Sequence, residues 1–166
     1  MKTHIYIANI DENEIGVENE YVQKLKEYAE KENSKVITVS AKIESELSEL
    51  NDDDKTEMLK ELGIEQSGLD KLIETAYDLL GLKTYFTCGP QEVKAWTYKD
   101  GMNAKECAGI IHTDFEKGFI KAEVIAYKDI IEYKDETKVK ENGKFRIEGK
   151  EYLMQDGDIC HFRFNL

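Results

Sequence analysis

Two fold classes in succession are expected, an α/β opening and an α+β close, joined by helices. Three observations carry this expectation. The first forty residues read strand, helix, strand. Residues 42–82 carry helical periodicity without a strand. After Gly81 the pattern changes to alternation broken by tight-turn dipeptides. The chain has 166 residues, room for one ordinary domain or two small ones. A chain of this length buries roughly 70% of its unfolded surface and needs no metal or disulfide staple.

The first strand is expected over residues 3–9, rich in Ile and Tyr and ending in Asn-Ile-Asp-Glu. From Val17 to Lys31, Val17, Tyr21, Val22, Leu25, Tyr28 and Ala29 recur at helical spacing, with Lys and Glu on the other face. Val36, Ile37 and Val39 mark a second strand over residues 35–39. Strand, helix, strand implies a parallel pair joined by a crossover. Two parallel strands make no stable sheet alone, so this segment reads as the tail of a larger α/β domain.

Ile43, Leu47 and Leu50 share one helix face, and a second helix runs from Asp52 to Leu62 and stops at Gly63. Its Asn51-Asp-Asp-Asp start reads as a solvated helix N-terminus, where the dipole favours negative charge. Ser67-Gly-Leu-Asp70 resembles a capping box and opens a helix with the stripe Leu69, Leu72, Ile73, Ala76, Leu79 and Leu80. Residues 84–88 and 93–98 then form a hairpin around Gly89-Pro90. Asn103 caps a short helix through about Ile110. Gly118 to Tyr127 alternates as a strand, followed by a helical turn at 128–133 and a charged loop. Residues 145–147 and 152–154 flank a turn at Glu148-Gly149, and residues 159–164 close the chain as a strand. The order ββαββ fits a compact β-grasp domain.

Composition narrows the function. Lys and Arg number 23 against 35 Asp and Glu, a net charge of −12. That argues against a simple electrostatic grip on nucleic acid, whose phosphates demand local Lys and Arg, while leaving room for a local basic face. Hydrophobic residues make up 40%, including nine Tyr, six Phe and one Trp, which is not the composition of a disordered tail. Cys88, Cys107 and Cys160 are odd in number and form no C-x-x-C pair, so reduced thiols are expected. No apolar run approaches the ~20 residues that span a bilayer, and the first residues do not read as a signal peptide. A soluble, cytoplasmic protein is expected, with neither membrane nor DNA as partner.

Several motifs fail on chemistry. Gly63 to Gly68 gives G-x-x-x-x-G, but Leu69 and Asp70 stand where a phosphate loop needs Lys and then Ser or Thr. Asp11-x-Asn13-x-Ile15-Gly16 opens like a calcium loop, yet Ile15 has no side-chain oxygen and Val22 replaces the bidentate Glu. Cys160 and His161 are neighbours on a strand and point to opposite faces, which disfavours a catalytic pair. His112 and Asp114 could share a face, the plainer reading being a hydrogen-bonded structural histidine. Lys94, Trp96, Tyr98 and Lys99, and later His161, Phe162, Arg163 and Phe164, interleave base and aromatic. Such strands suit a stacking surface for RNA or, equally, a half-buried sheet. Asn9-Ile-Asp-Glu12 and Ser40-Ala-Lys42 follow successive strands, where an open α/β sheet binds ligands.

Longer stretches are more specific: Tyr6-Ile-Ala-Asn-Ile-Asp-Glu12, Val39-Ser-Ala-Lys-Ile-Glu44, Tyr77-Asp-Leu-Leu-Gly-Leu82, Glu92-Val-Lys-Ala-Trp-Thr97, the whole of residues 108–127, and Gln155 to Asn165. On these, nearly the whole chain resembles the C-terminal part of the YchF (Obg-like) ATPases, a branch of the translation-factor class of P-loop GTPases. The resemblance implies an incomplete P-loop GTPase-like α/β remnant over residues 1–48. It further implies a helical connector over 49–82 and a β-grasp, ubiquitin-like TGS domain over 83–166. The family's P-loop, switch regions and helical insertion would precede this chain.

GTPases read guanine with N-K-x-D, whose Asp accepts from the guanine N1–H and exocyclic amine. Here Asn9, Ile10, Asp11 and Glu12 give the N-x-x-E form, and Ser40, Ala41 and Lys42 match the second base-contacting loop. The resemblance implies nucleotide contact at Asn9, Ile10, Glu12, Ser40, Ala41 and Lys42. Preference for ATP over GTP is also implied, because an Asn amide can serve adenine N6 and N7. Mg²⁺ and the phosphates belong to the missing part, so the intact protein is expected to hydrolyse ATP and this chain alone to be inactive, with no catalytic residues or metal site of its own. The TGS domain implies ribosome or ribosomal-RNA binding through Lys94, Trp96, Tyr98 and Lys99, with Lys117 and Lys121 as neighbours. The alternative is a non-catalytic regulatory module that packs on the nucleotide domain.

Overall fold

β1 (Ile5–Asn9) and β2 (Lys35–Val39) pair in parallel, Ile5 opposite Lys35 through Asn9 opposite Val39. They belong to a computed structural model that describes residues 4–17, 19–89 and 92–165. The expected strand start at Thr3 and the Pro90 half of the hairpin turn lie outside the described residues. The chain divides into two compact units, Met1–Leu79 and Leu80–Leu166.

In the first unit, β1 and β2 are joined by a 3₁₀ turn (Glu12–Glu14) and α1 (Glu20–Lys31). α1 begins three residues later than the apolar periodicity implies. The Asn19 side chain sets the start by accepting from the Tyr21 and Val22 N–H groups, as an N-cap does. α2 (Ala41–Ser48) buries Ile43 and Leu47. α3 (Asp52–Glu61) is capped by Asn51, which accepts from the Asp53 and Asp54 N–H groups. In α4 (Gly68–Leu80), the Ser67 hydroxyl accepts from the Asp70 N–H at 3.0 Å and donates to its carboxylate. Gly68 lets the chain approach closely: a Cβ there would stand 3.0 Å from Val39 Cγ2 and 3.1 Å from the Thr38 carbonyl oxygen. The expected apolar stripe of α4 is not a buried one. Leu69, Ile73 and Leu80 are each about half exposed or more, as is Ile7 of β1.

The second unit is a five-stranded mixed sheet. Its strands are β3 (Leu82–Cys88), β4 (Val93–Lys99), β5 (Phe119–Ala126), β6 (Arg146–Glu148) and β7 (Asp158–Phe164). Their order is β4-β3-β7-β5-β6, with β3 and β7 parallel and the other pairs antiparallel. α5 (Ala104–Ile111) supplies Ala104, Cys107 and Ala108 to a core shared with Tyr85, Tyr98, Ala122, Val124, Met154, Cys160 and Phe162. A full capping box starts α5: Asn103 accepts from the Glu106 N–H, and the Glu106 carboxylate from the Asn103 N–H.

Two expectations need correction. The charged stretch after α7 (Tyr127–Tyr133) is not a loop. It forms α8 (Glu136–Glu141), which Asp135 caps through the Thr137 and Lys138 N–H groups and which buries Val139. Residues 152–154 do not form a hairpin with 145–147. Leu153 makes an isolated bridge to Asn103, and the Tyr152 carbonyl accepts from the Ala104 N–H at 2.8 Å. α6 (Thr113–Lys117) follows α5 directly, its start capped by His112 Nδ1 accepting from the Asp114 N–H. His112 is thus structural. At the end of α6, Gly118 is obligatory, because a Cβ would fall 2.2 Å from the Asn165 carbonyl oxygen.

Candidate functional site

The parallel register ends with Asn9 opposite Val39, so the loops after β1 and β2 start side by side. The Ile10 N–H donates to the Val39 carbonyl at 2.9 Å. Asn9 Oδ1 accepts from the Ala41 N–H at 3.0 Å. This bond ties the two loops and satisfies an amide at the start of α2, where intrahelical partners are lacking. Ser40 holds the N-cap position without a capping bond of its own, and its buried hydroxyl has no hydrogen-bond partner among the described residues.

The bond to Ala41 uses one lone pair of the Asn9 oxygen, so a second lone pair and the NH₂ are what Asn9 can offer to a ligand. The NH₂ suits a ring-nitrogen acceptor such as a purine N7. Glu12 makes an ion pair with Lys42, joining the loops a second time. The pair holds the Lys42 ammonium above its ordinary range, chiefly through its hydrogen bond to Glu12. Asp11 serves its own turn: it accepts from the Asn13 N–H and side-chain amide, which hold its carboxyl below the usual range. Beneath the loops lies a cavity of about 300 Å³ lined in part by Ile10, Thr38, Ser40, Ile43, Gln66 and Gly68. All six residues expected at the base site thus lie at or just beyond the C-terminal ends of β1 and β2. The Glu12–Lys42 pairing was not foreseen. Its sequence signal is an acid three residues after Asn9 and a base after Ser40-Ala41.

The residues expected at an RNA face do not share one. Alternation along β4 sends Lys94, Trp96 and Tyr98 to one side and Lys99 to the other. Tyr98 is 2% exposed, and its hydroxyl donates to the Met154 carbonyl at 2.9 Å, so it is a core residue. The Lys94 ammonium lies 4.1 Å from the Trp96 ring centroid, and the Trp96 indole donates to Thr87 Oγ1. Lys121 is across the sheet on β5 and faces Glu123, which also accepts both Nε and Nη2 of Arg163. Lys117 ends α6. Among the described residues no cluster of His, Cys, Asp and Glu is arranged to hold a metal ion, and no helix is long and apolar enough to cross a membrane.

A strand–helix–strand unit followed by a mixed five-stranded sheet is the mixed α/β class of known GTP-binding proteins. The family described as YchF-GTPase_C, "Protein of unknown function (DUF933)", matches residues 82–165, and this chain belongs to it. The "Ribosome-binding ATPase YchF" of Bacillus subtilis (strain 168) is 57% identical over 167 aligned residues, which cover 99% of this chain and 46% of the relative. The protein of the same name from Pasteurella multocida (strain Pm70) is 56% identical, over 100% of this chain and 46% of the relative. The chain spans about half the length of the curated relatives it matches. The Schizosaccharomyces pombe YchF GTPase structure superposes with a TM-score of 0.85 at 38% identity, covering 98% of this chain and 43% of that one. A GTP-binding protein from Pyrococcus horikoshii OT3 shares the fold, with a TM-score of 0.66 at 20% identity over 97% of this chain and 45% of that one.

Proposed function

We propose that this chain supplies the base-contacting loops and a TGS module of a ribosome-associated, YchF-type ATPase. The bond from the Ala41 N–H to Asn9 Oδ1 carries the reading, because it unites the two loops of an N-x-x-E and Ser-Ala-Lys pair at adjacent strand ends. Asn9, Ile10, Glu12, Ser40, Ala41 and Lys42 make up the base site, with ATP preferred and GTP used less well. Residues 1–48 complete a nucleotide domain, 49–82 connect, and 83–166 form the β-grasp TGS domain. A sheet with its last strand in the middle and α5 across one face supports that last assignment.

The residues present do not fit Mg²⁺ or a triphosphate. Gly63 to Gly68 lacks the following Lys and hydroxyl residue, so those contacts belong to a P-loop half of the relatives' length. Without them no turnover is assigned to this chain, and base contacts alone leave binding near the millimolar range, ~4 kcal/mol. The names of the relatives support ribosome or ribosomal RNA as partner, and with it a cytoplasmic site of action. Because the cationic residues divide between faces and Tyr98 is buried, a second reading has support: the C-terminal unit is a non-catalytic regulatory module rather than a free RNA platform. Calorimetric titration of ATP and GTP into this chain, and into a form extended by a P-loop half, tests the nucleotide reading. Tight binding only by the extended form, with ATP preferred, supports it. Tight ATP binding or turnover by the short chain overturns it.

A further inference from the structure

We propose that Lys42 is a positioning residue that sets base preference: by pairing with Glu12 it withholds that carboxylate from the base edge. The inference rests on the base-site reading above and adds to it the device that selects against guanine.

Three acids follow Asn9 in the loop after β1, and each has a different employment. Asp11 accepts from the Asn13 N–H and its side-chain amide. Glu14 accepts from the Asp11 N–H at 3.2 Å and from the Asn19 side-chain amide at 2.7 Å. These contacts form a reciprocal capping box that fixes the backbone of the 3₁₀ turn. Glu12, the first residue of that turn, is the acid left over, and its side chain reaches across to Lys42 in the first turn of α2. α2 is itself held at Ala41 by Asn9. Both partners of the ion pair therefore project from segments already pinned to each other. The other charges facing Lys42 are Asp11 and Glu46, both carboxylates, so Lys42 sits among acids and Glu12 is the one it bonds.

The base chemistry gives this pairing a consequence. Guanine presents N1–H and an exocyclic N–H at its pairing edge and requires an acceptor there, ideally a carboxylate. Adenine presents a bare N1 lone pair, which a free carboxylate would repel. A Glu12 turned toward Lys42 removes the acceptor that guanine needs and the repulsion that adenine would meet. Both changes favour adenine, a selection made as much against the wrong base as for the right one. Stability does not account for the pair equally well, since exposed ion pairs contribute only ~0–1 kcal/mol and the Lys42 side chain is 61% exposed.

The test is the ratio of ATP to GTP affinity in the 166-residue chain, read by NMR from the Ala41 amide and the Asn9 side-chain amide during titration with each nucleotide. The ratio cancels the altered attraction for phosphate when one positive charge is lost. Lys42→Ala frees Glu12 and shifts the ratio toward GTP by about ten-fold, the size of one hydrogen bond to a charged acceptor. Adding Glu12→Ala to that variant abolishes the gain, because the effect passes through the carboxylate. A Lys42→Ala chain with the wild-type ratio, or a gain that survives loss of Glu12, overturns the role of Lys42 while leaving the base site standing. A wild-type chain whose Ala41 and Asn9 signals respond to neither nucleotide overturns the base site, and this inference with it.

Discussion

In the second unit Tyr85, Tyr98, Cys107, Val124, Met154 and Cys160 are all at 2% exposure or less, whereas among the described residues of the first only Ala29 is so enclosed, with Ile37, Ile43 and Leu47 at 5%. The strands explain the contrast. A five-stranded sheet with α5 across it encloses one face completely, but a two-stranded parallel pair has too little surface to do so and is found in nature with both faces covered. Polar contacts carry more of the first unit. Glu32, the residue that ends α1, accepts from the Tyr6 hydroxyl at 2.7 Å and the Tyr28 hydroxyl at 3.0 Å, and lies 3.2 Å from His4 Nε2. Asn9, Asp11 and Lys42 do the same for the loops. The candidate base site thus stands on the unit ordered more by hydrogen bonds than by packing.

The sharpest way to break this comparison is to cut equivalent core positions. Tyr85→Ala empties a fully enclosed site and removes the hydroxyl that donates to the Cys107 carbonyl, so a loss of about 4 kcal/mol is expected. Ile37→Ala, in a unit freer to collapse, should lose about 2 kcal/mol. Urea unfolding followed by circular dichroism measures both, and equal losses would refute the contrast. Next in size is Asp158→Ala. Asp158 is 1% exposed and accepts from Arg146 Nη2, the Tyr152 hydroxyl and the Gln155 N–H. Its removal strands those donors, and about 2–3 kcal/mol should be missing from the thermal unfolding of the second unit.

The smallest effect is that of pH on the first unit. The hydroxyls of Tyr6 and Tyr28 hold the Glu32 carboxyl below its ordinary range, while Glu32 pushes Tyr6 up to about 12. A carboxylate depressed in the folded state stabilises above its unfolded value of ~4.3 and gives that up as pH falls through the lower folded value. A tyrosine raised in the folded state stabilises below its unfolded value of ~10 and gives that up as pH climbs toward the folded value. Hydrogen exchange of β1 and β2 amides should therefore accelerate at both ends of the pH range. Glu32→Gln should flatten the acid limb; an unchanged limb would mean that another carboxylate governs it.

Much of this was legible where a signal is local. Asn103 with Glu106 and Ser67 with Asp70 announce themselves by spacing. α8 did not, because residues 135–144 present one buried apolar side chain, Val139, and a helix with so narrow an apolar face leaves no periodicity to read. Residues 152–154, a short apolar run, read like a strand, but the partner that satisfies them is the chain at 102–104, which no short-range rule reveals. Tyr98 was misjudged because alternation separates the two faces of β4 without saying which is enclosed. The Glu12–Lys42 bond went unread for a related reason: an acid after Asn9 and a base after Ser40-Ala41 mark candidates, but long side chains choose partners only after the backbone has set the distance.

One placement bears on how such a protein is made. β7 is the last strand of its unit along the chain and lies between β3 and β5. A polypeptide growing from its N-terminus therefore has no strand to pair β3 with β5 until residues 158–164 are synthesised. Assembly of the sheet waits on its final strand, and a nascent chain halted before that point exposes the inner edges of β3 and β5 to any other strand in reach.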